Sequence, residues 1–264
     1  MLVGYLGPLG TYSHAAALQQ YPEEELKPYG TLEAVVEGVK NSEVELAVLP
    51  VENSTNGEVR AALDALIAEI GECPEIKAVG EVRVRIAHQL FSRSSNVSQV
   101  ERIYSHPQVW GQASHWLSST LPGAKCIDCD STSQAIERAW EDKNGAAIAG
   151  SAAGSVYGIK PLIANVSDRD ENTTRFLVLA KQPAPENKQH TMVTFCAAQQ
   201  DLCKTLEALV SSGVQVTFLT SRPLGTHWTY RYIVEFAGAL ASEQVREALA
   251  KLNQVTPVTV IGAY

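Results

Sequence analysis

Short apolar runs alternate with helical patterns along the first two thirds of the chain. Leu2 to Leu6 is apolar and ends at a Gly-Pro turn, and the alanine-rich segment His14 to Gln20 that follows has strong helix propensity. Residues 31–40 then place leucine and valine at helical spacing, before the fully apolar run Leu46 to Leu49. Such alternation is typical of α/β folds, in which helices cover both faces of parallel sheets. We therefore predict an α/β architecture for this region.

The alternation continues to about residue 181. Further strands are predicted at 82–86, 103–105, 124–127, 146–149, 162–167 and 175–181, and further helices at 59–70, 107–116, 131–141 and 151–157. The segment Gln182 to Gln189 is polar, contains prolines and has no periodicity, which is typical of a linker. We therefore predict a first domain over residues 1–182.

The pattern changes after this linker. Strands are predicted at 190–197, 214–219, 229–236 and 258–261, and helices at 202–211 and 242–252. This βαββαβ order is ferredoxin-like, and it predicts a second, smaller domain over residues 190–264. Small sheets with a free edge tend to pair with one another, so we expect this domain to assemble the protein into a dimer or tetramer.

Length and charge narrow the class of protein. A chain of 264 residues is long enough for two domains with real cores. The net charge of -8 and the pI near 5.3 argue against nucleic acid or an anionic membrane as the main partner, because both attract basic surfaces. The chain begins without a signal-peptide pattern, and the five cysteines suit a reducing compartment. We expect a cytoplasmic protein that does not enter membranes.

Motifs for metals and nucleotides are missing from the sequence. It contains no Walker A, H-E-x-x-H or G-x-S-x-G pattern, and Gly4, Gly7 and Gly10 lack the spacing of a dinucleotide-binding loop. The lone pair Cys126 and Cys129 has no second pair with which to form a zinc site. We therefore expect no metal and no cofactor.

A polar run, Asp168 to Phe176, ends abruptly in an apolar strand. Its hydroxyls, amide and guanidinium can donate hydrogen bonds to an anion, but they include no strong nucleophile. An ordinary polar turn before a strand would have the same composition. The functional interpretation gains weight because three other polar loops follow predicted strands, where open α/β sheets build their binding sites.

The first two of these loops could bind or protonate a ligand. Thr11 and Ser13 follow a glycine-rich turn and open a helix, so they either bind an anion or cap that helix. Glu52, Asn53 and Ser54 lie between Pro50 and Gly57; Glu52 could be an acid or base, or only a charge at a helix N-terminus.

The third loop surrounds Pro107. Ser105 and Gln112 are its candidate binding residues, although Ser105 would also serve as a helix cap. We predict a structural role for His106, because a lone histidine beside a proline at a helix start is more often structural.

Four motifs occur together in the chain. They are Gly7-Pro-Leu-Gly-Thr-Tyr-Ser13, Pro50-Val-Glu-Asn-Ser54, Ser105-His-Pro-Gln108 followed by Gln112, and Asn172-Thr-Thr-Arg-Phe176. In this order and at this spacing they resemble prephenate dehydratase, and the tail from about His190 resembles the ACT regulatory domain of that family. The resemblance covers essentially the whole chain.

The resemblance implies a function in phenylalanine biosynthesis. It implies that prephenate loses carbon dioxide and water to give phenylpyruvate, without a cofactor, on a two-lobed domain like that of periplasmic binding proteins. Thr174 resembles the catalytic threonine that donates to the departing hydroxyl, and Arg175 and Glu52 are the other two catalytic candidates. The guanidinium of Arg175 and the backbone N-H groups near Thr11 are the candidates for binding the two substrate carboxylates. The implied substrate-binding residues are Thr11, Ser13, Asn53, Ser54, Ser105, Gln112, Asn172 and Phe176.

Two other functions stay open at this stage. Arogenate could replace prephenate, because the two substrates differ only in a side-chain amino or keto group. A protein of the same fold could also bind its ligand as a sensor without turnover, although the intact motif Thr174-Arg-Phe176 argues against this.

The regulatory motifs of the tail differ from the family pattern. The resemblance implies that Leu202, Ser221 and Arg222 belong to the site that binds phenylalanine. The usual Gly-Ala-Leu run reads Gln200-Asp-Leu202 here, and Glu-Ser-Arg-Pro reads Thr220-Ser-Arg-Pro223. Loss of the glycine removes a close backbone approach, and Asp201 adds a charge. These changes place feedback inhibition by L-phenylalanine in doubt, but not the role of the domain in assembly.

Overall fold

The structure is a computed structural model that describes residues 1–225 and 228–264. Its strands are β1 (Leu2–Leu6), β2 (Glu25–Tyr29), β3 (Leu46–Asn53), β4 (Gly57–Glu58), β5 (Ile76–Arg85), β6 (His88–Ser92), β7 (Arg102–Ser105), β8 (Lys125–Asp128), β9 (Gly145–Gly150), β10 (Thr173–Lys181), β11 (His190–Ala198), β12 (Gln215–Pro223), β13 (Thr229–Ala237) and β14 (Val258–Ala263).

Nine α-helices lie in these described ranges, with short 3-10 turns at Val97–Gln99 and Gln199–Asp201. The helices are α1 (Tyr12–Gln20), α2 (Leu32–Lys40), α3 (Arg60–Glu72), α4 (Pro107–Trp110), α5 (Ser114–Thr120), α6 (Thr132–Glu141), α7 (Ser151–Tyr157), α8 (Leu202–Val210) and α9 (Glu243–Val255). Among the described helices, none is long and apolar enough to span a membrane.

The strands form two sheets. The larger has the order β12-β13-β11-β14-β5-β10-β3-β1-β2, with β4 paired to β3, and the smaller has the order β6-β9-β7-β8. Both are mixed: β1 runs parallel to β2 and β3, whereas β10 runs antiparallel to β3 and β5, and β6 runs antiparallel to β9. The prediction of an α/β fold with parallel or mixed sheets flanked by helices is therefore confirmed, and the sheets are of the mixed kind.

Several elements differ from their predictions. Residues 162–167 form no strand, only an isolated bridge between Ile163 and Leu90. The predicted helix 107–116 is two helices, α4 and α5. Strand β2 is not predicted from the sequence, because Glu-Leu-Lys-Pro-Tyr contains two charged residues and a proline and none of its residues is fully buried.

The amphipathic pattern of α2 shows how sequence sets the core. Thr31 caps this helix by accepting the backbone N-H of Ala34 at 3.1 Å. Its buried side chains, Val35, Val36 and Val39, join the core of the larger sheet together with Leu63 and Leu66 of α3 and Leu49 of β3. Burial of each such side chain contributes about 1.5–3 kcal/mol.

The C-terminal strands have the predicted order β11-α8-β12-β13-α9-β14. One face of this sheet packs with α8 and α9 around Phe195, Leu209 and Phe236. Its other face supplies Met192, Ile233 and Ile261 to the core that contains α2 and α3. The C-terminal strands therefore share a hydrophobic core with the N-terminal part of the chain.

Candidate active site

A cleft of about 590 Å³ lies between the two sheets. Its walls come from the start of α1 and the ends of β3 and β10 on one side, and from the loops after β7 and β8 on the other. This volume suits a small organic ligand. Among the residues that line the cleft are Thr11, Tyr12, Ser13, Asn53, Glu58, Arg60, His88, His106, Gln112, Asp130, Thr174 and Phe176.

Thr174 lies near the start of β10, and Asn53 at the end of β3 is its partner across the ladder. The Nδ2 atom of Asn53 donates to Oγ1 of Thr174 at 3.0 Å. The orientation of this amide is fixed, because its Oδ1 accepts the backbone N-H groups of Thr55 at 3.0 Å and Asn56 at 2.9 Å. Thr174 thus receives a hydrogen bond from Asn53 and keeps its own proton available to a ligand in the cleft.

The same amide begins a chain of side chains, Asn53, Asn172 and Gln112, which we call the amide chain. Nδ2 of Asn53 also donates to Oδ1 of Asn172 at 2.7 Å, so Nδ2 of Asn172 must be the atom that donates to Oε1 of Gln112 at 3.0 Å. The amide nitrogen of Gln112 then remains as a donor at the cleft. Asn172 itself is buried and does not line the cleft.

The amide chain ends at His88, which is buried at the start of β6. Nε2 of His88 lies 2.6 Å from Oε1 of Gln112, and since that oxygen can only accept, Nε2 must carry a proton. Nδ1 lies 3.0 Å from the hydroxyl of Tyr12. Burial lowers the pKa of His88 and raises the pKa of Tyr12, so both side chains are uncharged at neutral pH.

The start of α1 forms another part of the cleft wall, on the same side as the ends of β3 and β10. Thr11 caps α1: its Oγ1 accepts the N-H of His14 at 3.2 Å and donates to the carbonyl of Leu6 at 3.2 Å. Its hydroxyl proton is therefore engaged, and it is the backbone N-H groups of the first turn that can face an anion. Ser13 is buried and also lines the cleft.

The structure does not place Arg175 or Glu52 in the cleft, unlike the expectation for two catalytic residues. Successive side chains of a strand point to opposite faces, so Thr174 and Phe176 face the cleft while Arg175 faces away. The buried Arg175 pairs with Glu52 at 3.0 Å, with Glu81 at 3.3 Å and, more closely, with Glu235 of β13. A guanidinium held by three carboxylates cannot bind a substrate carboxylate in the cleft.

Two predicted binding residues, Ser105 and Ser54, also lie outside the cleft lining. Ser105 is completely buried, and its hydroxyl donates to the carbonyl of Ile148 at 2.7 Å, which ties β7 to β9. Ser54 donates to the carbonyl of Glu171 at 3.2 Å and accepts the N-H of Thr173 at 2.9 Å. Both serines hold backbone segments that support the site.

A sequence model described as prephenate dehydratase matches residues 3–184, which is more than half of the chain. The chain belongs to the prephenate dehydratase family. It is therefore a lyase-type enzyme, a dehydratase.

Relatives and solved structures agree with this family. A bifunctional chorismate mutase/prephenate dehydratase of Aquifex aeolicus is 33% identical over 99% of this chain and 73% of its own length. An arogenate dehydratase/prephenate dehydratase of Arabidopsis thaliana is 30% identical over 99% of this chain and 72% of its own length. The structure of prephenate dehydratase from Arthrobacter aurescens in complex with L-Phe superposes with a TM-score of 0.90 and 27% identity, and the match covers 100% of this chain and 89% of that one.

The family match ends at residue 184, so the three tail residues predicted to be regulatory lie beyond it. Leu202 begins α8 and packs against the C-terminal core. Ser221 is exposed on β12. Arg222, on the same strand, pairs with Asp64 of α3 at 2.6 Å and approaches Glu58 of the cleft wall to 3.4 Å.

Several cleft residues of this dehydratase are not predicted from its sequence, among them Tyr12, His88 and His106. Tyr12 lies in the motif Gly7 to Ser13, and His88, with Gln89, interrupts the otherwise apolar segment Ile86 to Phe91, which is the available signal. His106 was interpreted as structural; it caps α4 by accepting the N-H of Gln108 at 3.3 Å, and it also lines the cleft. Burial lowers the pKa of His106.

Proposed function

We propose that this protein converts prephenate to phenylpyruvate, with Thr174 as the group that donates a proton to the departing hydroxyl. The observation that carries this proposal is the hydrogen bond from Asn53 to Oγ1 of Thr174, at 3.0 Å. An amide donor on that oxygen stabilises negative charge there and leaves the hydroxyl proton directed away from Asn53. A neutral hydroxyl so held is a donor whose strength rises as charge develops on the leaving oxygen.

The reaction balances without an external oxidant or reductant. The bond from the ring to its carboxylate breaks and releases carbon dioxide, and its electron pair enters the ring. The same flow of electrons breaks the bond to the ring hydroxyl, which takes up a proton and leaves as water. Since the ring becomes aromatic, the protein mainly has to hold the substrate in line and stabilise charge on the departing oxygen.

The two substrate carboxylates require donors other than Arg175. We propose the backbone N-H groups at the start of α1 for one of them and the guanidinium of Arg60 for the other. Arg60 lines the cleft, and its side chain is 79% exposed although it contacts Glu58 at 2.9 Å. An exposed pair of this kind contributes little, so the guanidinium can turn toward a dianion at small cost. The amide nitrogen of Gln112 is a further donor to the substrate.

Arogenate is the second candidate substrate. Its amino group would be a cation where prephenate has a keto group, and Asp130 presents a carboxylate in the cleft. Turnover of both compounds by the purified protein compares the two functions directly. Saturable binding of prephenate without any turnover would instead favour the sensor function.

We also propose a catalytic domain over residues 1–182 and an ACT domain over residues 190–264 that joins copies of the chain in the cytoplasm. The βαββαβ order of the tail supports this division. The response to L-phenylalanine is expected to be weak, because Asp201 places a charge near the altered motif and Arg222 already pairs with Asp64. Inhibition assays on wild type and Asp201→Ala, with mass measurement in solution, test these points; strong inhibition of the wild type would contradict the weak response.

The central experiment compares Thr174→Ala with Thr174→Ser in conversion of prephenate to phenylpyruvate. Alanine removes the donor, and kcat is expected to fall by about 10²–10³-fold, the usual effect of losing one such donor. Serine keeps the hydroxyl and should retain most of the activity. If the folded alanine variant kept wild-type kcat, Thr174 would not be the proton donor.

A further inference from the structure

We propose that Glu235, on β13 of the C-terminal unit, is a positioning residue for Thr174 and acts through Arg175. This inference rests on the proposed role of Thr174. It assigns the C-terminal strands a part in the basal reaction, apart from any effector. We call Arg175, Glu52, Glu81 and Glu235 the charge cluster.

First, Arg175 is placed in the chain so that its anchoring affects Thr174. It follows Thr174 directly on β10 and points to the opposite face of the sheet, so its anchoring fixes the backbone that carries Thr174. The ladder between β10 and β3 is irregular at this point, because the register shifts between Arg175 and Phe176. The ladder between β10 and β5 is regular here, with Arg175 opposite Arg83, so the anchoring of the Arg175 side chain adds to one intact ladder.

The second step concerns which carboxylate holds Arg175. The side chain of Glu52 is 38% exposed, and Glu81 is shared with Arg83 at 2.6 Å. Glu235 is only 4% exposed and makes the closest contact to the guanidinium. Because charges attract more strongly when they are shielded from water, Glu235 is the dominant partner of Arg175.

The third step is that Glu235 is itself held firmly. Thr217 of β12 donates to its Oε1 at 2.7 Å, and the hydroxyl of Tyr264 donates to Oε2. His190 approaches Oε1 to 3.6 Å. Burial alone would raise the pKa of Glu235, but the charge of Arg175 and these hydrogen bonds outweigh burial and keep its pKa below the ordinary value. Glu235 is therefore a fixed anion that belongs to the C-terminal strands.

Other side chains also join the C-terminal strands to the rest of the larger sheet: Met192, Ile233 and Ile261 share its core, and Arg222 pairs with Asp64. The ladder between β14 and β5 has a single register pair, Gly262 with Ala78. The C-terminal strands are therefore joined to the rest of the larger sheet by a short ladder and by side chains, and among these side chains the charge cluster lies next to Thr174.

The test is Glu235→Gln, which preserves the shape of the side chain and removes its charge. Because the substitution would misplace Thr174, a group that acts in the transition state, kcat is expected to fall about tenfold or more. KM should change by less than about twofold. Glu235→Asp, which keeps the charge, should recover part of the loss. Glu247→Gln, at an exposed pair with Lys251 on α9, is the matched control and should leave kcat unchanged.

A double-variant comparison separates positioning from general damage. If Glu235 acts through Thr174, then Glu235→Gln introduced into Thr174→Ala should change the remaining kcat by less than about twofold. An equal fall in both backgrounds, or a folded Glu235→Gln enzyme with wild-type kcat, would overturn the inference. Wild-type kcat in Thr174→Ala would instead overturn the proposed role of Thr174, on which this inference rests, whatever Glu235→Gln does.

A second variant covers the case in which Glu235→Gln does not fold. Tyr264→Phe removes one hydrogen bond to Glu235 and leaves the carboxylate in place. It is expected to lower kcat several-fold in wild type and to have no further effect in Thr174→Ala. An unchanged kcat in a folded Tyr264→Phe enzyme would overturn the inference in that case.

Discussion

The two faces of β10 hold neighbouring residues by different physical means. On the cleft face, Thr174 is held by neutral donors and acceptors, beginning with the amide of Asn53. On the opposite face, Arg175 is held by the carboxylates of the charge cluster. One residue of spacing along a strand therefore separates a neutral hydrogen-bonded surface from a buried ionic one.

This difference suits the proposed chemistry. A free carboxylate beside Thr174 would repel a doubly charged substrate, and a free guanidinium there would compete for the threonine hydroxyl. The amide chain fixes the orientation of its side chains without adding net charge, because each amide both accepts and donates hydrogen bonds. The charge cluster supplies rigidity from behind the strand, where its net negative charge is kept away from the cleft.

Arg175→Met should have the largest effect on stability. Removal of the guanidinium leaves Glu235 buried without its cation, and breaking a buried pair on one side typically costs about 3–5 kcal/mol. Urea unfolding of the variant measures this loss. Arg175→Met combined with Glu235→Gln should recover part of it, because the unpaired charge is then gone. A loss below about 1 kcal/mol in the single variant would mean that the cluster is only weakly ionic.

Asn53→Asp should have the next largest effect, and on catalysis. The variant keeps an oxygen to accept the N-H groups of Thr55 and Asn56, but its second oxygen now faces Oγ1 of Thr174. The threonine proton then turns toward this carboxylate and away from the substrate, so kcat should fall by about 10²-fold. Steady-state kinetics measures the fall, with Asn165→Asp, a change in the exposed loop, as control. Unchanged kcat would show that Asn53 does not orient Thr174.

The sequence predicted more of the cleft face than of the opposite face. Asn53 and Gln112 stand out as amides in polar loops after predicted strands, a local pattern, whereas the roles of Thr174 and Phe176 came from the resemblance of Asn172-Thr-Thr-Arg-Phe176 to the family motif. The partner that holds Arg175 is 60 residues further along the chain and was not visible in any local pattern. Strand alternation alone indicates that Arg175 points away from the side that Thr174 faces, but it does not say what lies there.

The same limit explains the other differences. Ser105 follows a strand and precedes Pro107, as a binding residue or cap would, yet it is buried against Ile148. Its role depends on β9, because the carbonyl that its hydroxyl contacts lies 43 residues further along the chain. Residues 162–167 have the apolar composition of a strand, but one isolated bridge to β6 is their only ladder contact among the described residues. Composition predicts that a segment is suited to a strand, and pairing depends on neighbours distant in sequence.

The free energy of unfolding should depend on pH through His88, at the far end of the amide chain, and this effect is smaller than the two above. Burial lowers the pKa of His88 below its ordinary value of 6.5. As pH falls through 6.5, the unfolded chain takes up a proton that the folded protein resists, so the contribution of His88 to stability declines. His88→Gln removes this component, and the gap in unfolding free energy between wild type and variant should narrow from about pH 8 to about pH 5. A difference in unfolding free energy that does not change with pH would contradict this expectation. The buried His14 is present in both proteins, so it contributes equally to both and does not affect the difference.

Glu52→Gln should have the smallest effect, and it distinguishes the two faces most directly. The sequence placed Glu52 among the catalytic residues, whereas the structure turns it away from the cleft to pair with Arg175 at 3.0 Å. Its side chain is 38% exposed, and Glu81 and Glu235 remain to hold the guanidinium. The expected cost is therefore less than about 1 kcal/mol in stability, as for an exposed pair, with kcat within about twofold of wild type. A fall in kcat as large as that of Thr174→Ala, in a folded enzyme, would contradict this expectation and would mean that Glu52 turns into the cleft during the reaction.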